Sequence, residues 1–457
     1  MAPATRLEVT AVSLDETGAG VGPGDERAIH VADLLPGERA DVAIDHASPH
    51  APAAWAHIQR RLGSPSPDRV RPACPGFGRC GGCVWQHLAY PAQLQHKRKR
   101  VVAALAEVPG VADGRVEIAE VVPSPSTLGY RNKGKYVAGK AGDHLVLGAY
   151  VPRSHDIVDM LGCQVVAPII DEVATWIRGA AEAAGLEPYD ERTKSGELRY
   201  VIVREAGGDV LVALVVAPRT PRPKLEQVAH VLDKHPALRG LVVIENDRRD
   251  GAIIPSGSSA QVLRGHGHLV EEHAGTRVEV GAGEFLQINR AQATAMYERI
   301  AELAEAGPGT SAVDLFAGLG GIGLQLARAG ASVVAVEIDR DAVGQLRRAA
   351  QRANLPLTAI AGDAGDVRGQ LAGHPDVVVV NPPRKGLSND VRALLAELAP
   401  PTIVYVSCGP ESLGRDLVAL AARGYTPDVI EPFDLMPGTA QVETVVRLRR
   451  GSRPARR

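Results

Sequence analysis

Aromatic residues are scarce in this chain, 4% of 457 positions. Cores must therefore be aliphatic, and any surface that stacks a ring-shaped ligand has few residues to draw on. No apolar run approaches the roughly 20 residues a helix needs to cross a bilayer. The opening M-A-P-A-T-R-L-E lacks the apolar heart of a leader. A cytoplasmic protein with no membrane partner is expected. Neither sign of charge dominates: the formal net charge is -2, which excludes a protein that coats a polyanion and confines any such contact to a local patch. Cysteines number only five. In a reducing compartment they read as metal ligands or nucleophiles, not disulfides.

What is present divides the chain into three, in keeping with about 150 residues per domain. In the first part, 1–62, short β-like runs (L-E-V-T-A-V, A-I-H-V, A-D-V-A-I) alternate with turns, among them Gly18-Ala19-Gly20-Val21-Gly22. Strands this short and closely spaced predict a small barrel. A linker, G-S-P-S-P-D-R-V-R-P, follows at 63–72 and leads into C-P-G-F-G-R-C-G-G-C. Cys74, Cys80 and Cys83 are separated by glycines that let thiolates converge, and thiolates are soft ligands for zinc or an iron-sulfur cluster. A four-coordinate site needs one more, and Cys163 is the only other cysteine before the C-terminal third. Zinc sites usually use two close pairs, a pattern that the x5 and x2 spacing does not follow. It also differs from the x3 and x2 spacing of radical enzymes that cleave S-adenosylmethionine. Tyr90 to Leu105 predicts a helix carrying the basic run His96-Lys97-Arg98-Lys99-Arg100, and Tyr130-Arg131-Asn132-Lys133-Gly134-Lys135 opens a β-rich stretch reaching about 280. Either basic stretch suits a solvated face or a phosphate grip. Together these segments form a β-rich central domain, 63–277.

From about 311, within the third part 278–457, strand and helix patterns alternate: S-A-V-D-L-F, S-V-V-A-V-E, L-T-A-I, D-V-V-V-V and I-V-Y-V, with helices between. Such alternation means an α/β domain with a doubly wound parallel sheet, whose ligands bind at the carboxyl tips of the strands. Asp314-Leu315-Phe316-Ala317-Gly318-Leu319-Gly320-Gly321 follows the first strand, where glycines permit a tight turn and close backbone approach. Glu337 ends the second strand, where a carboxylate would accept from ribose hydroxyls, and Asp363 follows the third, within reach of an adenine amino group. Gly318, Gly320 and Gly323 also satisfy the G-x-G-x-x-G of dinucleotide-binding dehydrogenases, a rival that the glycines alone leave standing. The fourth tip carries Asn381-Pro382-Pro383-Arg384, and an N-P-P turn there is typical of S-adenosylmethionine-dependent methyltransferases. The fifth strand, T-I-V-Y-V-S, delivers Cys408. Proline at 410 suits the first turn of a following helix, and that helix with Arg384 would favour a thiolate. An arginine after N-P-P and a cysteine one strand away point to carbon as the methyl acceptor.

Along nearly the whole chain these motifs fall in the order found in the RNA uracil-5-methyltransferase family. They are the glycine turn, the four cysteines, F-L-Q-I-N at 285–289, D-L-F-A-G-L-G-G at 314–321, N-P-P-R at 381–384, S-C-G-P at 407–410, and Phe433-Asp434 through Gln441-Val442-Glu443. The sequence most resembles the iron-sulfur branch that acts on 23S ribosomal RNA. The resemblance implies an oligonucleotide-binding-like TRAM barrel, a central domain with a [4Fe-4S] cluster on Cys74, Cys80, Cys83 and Cys163, and a Rossmann-like class I methyltransferase domain. It implies S-adenosylmethionine contacts from Gln287, Phe316, Gly318, Glu337, Asp363 and Asn381, with Cys408 as nucleophile and Glu443 as base. It also implies a monomer that forms 5-methyluridine in structured RNA, 23S ribosomal RNA or transfer RNA. Two positions depart from the family: Asn381 stands where aspartate is usual, and Gly409 breaks the common C-N-P. Asn381 motivates a different reading, an RNA-binding assembly factor without chemistry, which retention of Cys408 and Glu443 opposes.

Overall fold

Short β-branched runs and glycine turns at the amino end form six strands, Arg6–Thr10, Ser13–Leu14, Gly20–Pro23, Ala28–Val31, Arg39–Ala47 and Ala53–Leu62, in one sheet. The molecule is seen here as a computed structural model that describes residues 6–451 apart from 153, 249–251, 256, 257, 274 and 372. The first five residues, part of the opening read above as lacking a leader, lie outside the described residues. The sheet curls on itself. Arg6–Thr10 pairs with Arg39–Ala47 along one edge and meets Gly20–Pro23 along the other, so closely that a Cβ on Gly22 would lie 2.4 Å from the Thr10 carbonyl oxygen. Val9, Val31, Leu34, Ala40 and Val42 fill the interior. Glu38 of the L-P-G-E turn is buried and accepts from Arg69 Nε at 2.6 Å and Ser66 N at 3.0 Å. Burial alone would raise its pKa, but Arg69 and the backbone donors of Leu35 and Ser66 prevail and hold it at about 2. That carboxylate fastens the linker to the barrel.

The central sheet has seven strands in the order Gln261–Gly265, Leu238–Glu245, Asp209–Val216, Leu198–Ala206, Lys133–Ala141, His144–Tyr150, Ile157–Asp159. Helices Pro168–Ala183 and Arg222–Leu232 cover one face through Ile170, Ile177, Val228 and Leu232. The other face (Tyr200, Ile202, Leu211, Val242) packs with the hairpin His268–His273/Thr276–Gly281 and with Leu324 and Leu346 of the C-terminal region. Burial on both faces explains the unbroken apolar runs of these strands.

The C-terminal sheet runs Leu357–Ala361, Ser332–Glu337, Ser311–Leu315, Val377–Val380, Thr402–Ser407, Glu443–Arg450, Tyr425–Phe433. The first five are parallel, and Glu443–Arg450 runs antiparallel between Thr402–Ser407 and the edge strand Tyr425–Phe433. Its core also takes in Val101, Leu105, Val108 and Ile118. The helix Tyr90–Ala104 presses on Pro410–Ala421 so tightly that a Cβ on Gly414 would sit 2.3 Å from the Ala104 carbonyl oxygen. The chain then runs beside the last sheet strand, with Val122 N–H donating to Pro432 O at 2.8 Å. Residues 90–122 precede the central sheet in sequence, yet they pack as part of the C-terminal core.

The basic run on that helix serves packing. Lys97 is fully buried and bridges Asp434, also fully buried, at 2.5 Å; it donates again to Met436 O at 3.1 Å. Burial pushes the Lys97 pKa down, and Asp434 opposes the shift. Arg98 donates to Ile118 O and Arg100 to Ala440 O, leaving Lys99 as the exposed cation of the run. Removing one partner of a buried ion pair strands the other, a loss of about 3–5 kcal/mol. Lys97→Met is therefore expected to lower the denaturant midpoint of this core substantially, and Lys97→Met/Asp434→Leu to recover most of it. Equal midpoints for Lys97→Met and the wild type would show that the pair contributes nothing.

Candidate active site at the carboxyl edge of the C-terminal sheet

Parallel strands end on one edge, so every strand-tip residue named from sequence arrives there. Phe316 follows Ser311–Leu315 with φ 66°, a left-handed conformation rare for a bulky residue. Such strain persists where the surroundings enforce it and clusters at functional sites. Gly318 follows at φ 54° with open space where a Cβ would be. Its N–H donates to Glu337 Oε2 at 2.8 Å, and Glu337 Oε1 accepts from Asp339 N at 2.9 Å. Glu337 is thus aimed by two backbone donors before any ligand arrives. Ile338, beside it, is 68% exposed, an apolar surface at the strand tip that sequence reading passed over. Asp363 stands exposed beyond Leu357–Ala361, accepting from Gly365 N at 2.8 Å. Asn381 leaves Val377–Val380 with its N–H on Leu315 O at 3.3 Å.

Gln287 comes from outside the sheet. Its carbonyl accepts from Asn132 Nδ2 at 3.4 Å, and the carbonyl of nearby Glu284 accepts from Lys133 Nζ at 3.0 Å and from buried Arg204 at 2.5 Å. From sequence, Tyr130 to Lys135 suits a solvated face or a phosphate grip. Lys133 is instead buried, with its pKa lowered to about 6 by burial and by Arg204 and Lys135. This stretch holds the F-L-Q-I-N loop in place, and the loop presents Phe285 at 75% exposure.

Cys408 ends Thr402–Ser407, and Glu443 opens the strand beside it. The antiparallel register pairs Ser407 with Thr444, so the next residue on each strand places Cys408 and Glu443 side by side at the tip. Arg384 is exposed on the neighbouring loop and donates to Gln441 Oε1 at 2.8 Å. Burial raises the Cys408 thiol pKa above its ordinary value; Glu443 adds to this and Arg384 opposes it. The cation acts in the expected direction, but it is outweighed, and the resting group is a thiol. Burial lifts the Glu443 carboxyl to about 7 against the pull of Arg384. A carboxyl poised there suits proton transfer near neutrality.

Asp416 was not foreseen. Buried on the helix Pro410–Ala421, it accepts from Leu387 N at 2.7 Å, Tyr405 Oη at 2.7 Å and Arg392 Nη1 at 3.1 Å. Gly386, at φ 83°, comes so close that a Cβ would lie 2.4 Å from Asp416 Oδ2. One carboxylate therefore ties the Arg384 loop to the helix that follows Cys408. At Gly409 a Cβ would meet Ser412 Oγ at 2.9 Å. Ser412 Oγ donates to Gly409 O at 2.9 Å, and its hydroxyl occupies the space beside this glycine.

Cys74, Cys80, Cys83 and Cys163 are all unpaired and line one cavity of about 260 Å³ with Arg131, Lys133, Lys135 and Ile288. Burial pushes the Cys83 thiol up to about 11, with Cys163, Cys80 and Cys74 adding to it and Arg131 opposing. Among the described residues no group of three or more His, Cys, Asp or Glu side chains is arranged to hold a metal ion. The thiols surround a space and do not close on a point. Among the same residues, no helix is long and apolar enough to cross a membrane.

The strand order of the C-terminal sheet and this set of tip residues define a class I methyltransferase fold. Residues 293–415 match the family described as Conserved hypothetical protein 95. The chain is 32% identical over 450 residues to a protein of Synechocystis sp. named as an uncharacterized RNA methyltransferase, covering 97% of this chain and 95% of that one. It is 31% identical over 457 residues to a like-named protein of Halalkalibacterium halodurans, covering 97% and 96%. Among solved structures, the tRNA (uracil-54, C5)-methyltransferase of Pyrococcus abyssi, in complex with S-adenosyl-L-homocysteine, superposes with a TM-score of 0.76 at 25% identity, over 97% of this chain and 100% of that one. The chain belongs to this family of RNA methyltransferases.

The charges around Cys408 give a prediction independent of substrate. Alkylation of Cys408 at fixed mildly alkaline pH, followed by peptide mass spectrometry, should slow several-fold in Arg384→Leu and quicken in Glu443→Gln, since each pKa unit is worth about tenfold in thiolate fraction. A change in the same direction for both variants would refute this electrostatic arrangement.

Proposed function

We propose that this protein is an S-adenosylmethionine-dependent RNA methyltransferase that makes 5-methyluridine through a covalent bond from Cys408 to carbon 6 of uracil. The observation that carries the reading is the cross-strand placement of Cys408 beside Glu443. Carbon 5 of uracil is a weak nucleophile. Addition of the Cys408 thiolate to carbon 6 forms an enolate that places electron density on carbon 5. S-adenosylmethionine supplies the electrophilic methyl group, and its site would be the Gly318 cradle with Phe316, Glu337, Asp363, Asn381 and Gln287. The open space over Gly318 and the prealigned Glu337 carboxylate fit such a ligand. Glu443 then removes the carbon-5 proton, the enolate re-forms and expels the Cys408 sulfur, and the ring regains its double bond. A buried or stacked uracil must first be flipped or unpaired.

The target drawn from the family resemblance is 23S ribosomal RNA. Transfer RNA is the second reading, favoured by the name of the superposed Pyrococcus enzyme. The curled amino-terminal sheet reads as a TRAM module that grips the RNA. The four-cysteine cavity reads as the seat of a [4Fe-4S] cluster. Thiols spaced around a volume suit a polynuclear centre better than a single ion, and the flanking Arg131 offsets thiolate charge. A cytoplasmic monomer completes the reading.

Incubation with S-adenosylmethionine and unmodified 23S ribosomal RNA or transfer RNA should give 5-methyluridine by nucleoside mass spectrometry. Glu443→Gln should accumulate an RNA adduct that survives denaturing gels, and Cys408→Ala should form none; an adduct in Cys408→Ala would sink the assignment. Because Cys408 and Glu443 must both be deprotonated to act, and both are shifted upward, kcat/KM should rise with pH through about 7. A flat profile there would count against Glu443 as the base. Protein purified without oxygen should carry iron and sulfide that Cys80→Ser loses, and zinc in their place would overturn the cluster.

A further inference from the structure

Residues 434–442 are an irregular connection between Tyr425–Phe433 and Glu443–Arg450. They set where Glu443 begins its strand, and Gln441 of this segment accepts from Arg384. An irregular segment needs partners for its backbone groups. Here many come from the cysteine-bearing segment and the stretch just after it. Trp85 N–H donates to Gly438 O at 2.8 Å, and Gly438 N–H donates to buried Gln93 Oε1 at 2.8 Å. Tyr130 Oη donates to Pro437 O at 3.0 Å, and Lys97 holds Met436 O and Asp434. Gly438, at φ 77°, lies against the cysteine loop itself: a Cβ there would be 3.3 Å from Gln86 Cγ and 3.8 Å from Cys83 Cβ. Gln86 Oε1 in turn accepts from Cys74 N at 3.1 Å. The helix-borne Gln93 is fixed by its own donations to Trp85 O and Leu88 O at 3.1 and 2.8 Å.

We infer that Trp85, Gln93 and Tyr130 form the frame that positions Glu443, with Gln93 and Tyr130 as positioning residues for removal of the carbon-5 proton. This inference rests on Glu443 being the base. Gln93 holds the Pro437-Gly438 turn by an N–H and Tyr130 holds it by a carbonyl, from opposite sides of the peptide chain. A turn released from them moves Glu443 while Cys408, on its own strand and helix, stays in place. Loss of the clamp therefore spares adduct formation and slows adduct breakdown.

The test uses the full chain with Tyr130→Phe, which removes one hydroxyl, and Gln93→Met, with Gln93→Glu as the variant that keeps an acceptor for Gly438 N–H. Adduct on denaturing gels, kcat, KM and RNA affinity are read with unmodified 23S ribosomal RNA or transfer RNA, whichever the wild type methylates. Both disrupting variants should raise the steady-state adduct several-fold and lower kcat by about 10- to 100-fold, the scale of a misplacement of an ångström, with KM and RNA affinity unchanged. Gln93→Glu should fall between Gln93→Met and the wild type. If Glu443→Gln accumulates adduct while folded Tyr130→Phe and Gln93→Met stay at the wild-type level, the inference is overturned and the base assignment stands. If Glu443→Gln itself forms none, the base assignment fails and takes the inference with it. Should Gln93→Met not fold, Tyr130→Phe decides alone.

Discussion

Thr402–Ser407 and Glu443–Arg450 run in opposite directions with Ser407 facing Thr444, and this register determines what stands beside Cys408. Side chains alternate faces along a strand, so a slip of one residue would turn Glu443 to the other side of the sheet and replace it with Val442 or Thr444. The register is held on both flanks: Glu443–Arg450 also pairs with Tyr425–Phe433, setting Glu443 opposite Phe433. Val445, Val446 and Leu448 are fully buried, so a slip would also drive Arg447 toward the core. The packing of the sheet and the neighbourhood of the cysteine are the same constraint.

Around that pair, buried charged groups do the work that capping and loop geometry leave undone. Asp416 joins the Arg384 loop to the helix after Cys408, Lys97 and Asp434 join the helix Tyr90–Ala104 to the approach to Glu443, and Arg204 with Lys133 holds the loop of Gln287. Each buried polar group is costly alone and specific when hydrogen-bonded, so each fixes one irregular segment in one place. Loops made only of exposed polar residues would not hold three such segments at one strand edge.

The parallel half of the catalytic sheet was legible because each strand is a short apolar run bounded by turns. Ser311–Leu315, Ser332–Glu337, Leu357–Ala361, Val377–Val380 and Thr402–Ser407 lie where the alternation of patterns places them. The last two strands were not legible in this way: Arg447, Arg449 and Arg450 give Glu443–Arg450 the pattern of a polar tail, and Glu443 entered through family resemblance. Strand Ala53–Leu62 escaped for a related reason: its outer half, H-I-Q-R-R, is polar because it faces solvent. The basic runs misled in the opposite sense. Lys97 and Lys133 resemble surface charges in any window of local sequence, and only the distant partners Asp434 and Glu284 show them to be interior. Helices Pro168–Ala183 and Arg222–Leu232, which cover the central sheet, lie in a stretch read as β-rich throughout. Asp416 sits among ordinary helix residues, and its partners Leu387 and Tyr405 lie 29 and 11 residues away.

The electrostatics of the pair bear on how such a site would operate. A following helix and an arginine were expected to favour the thiolate, yet burial and Glu443 together hold Cys408 as a thiol. Glu443 is itself raised to about 7, and the ionised form of either group disfavours ionisation of the other. Near neutrality a negative charge on the pair therefore rests on Glu443 rather than on sulfur. A reaction that begins with a thiolate and later needs a carboxylate to take the carbon-5 proton requires both groups to have lost their own protons before that proton is removed. Arg384, exposed and tethered to Gln441, favours the ionised form of each group.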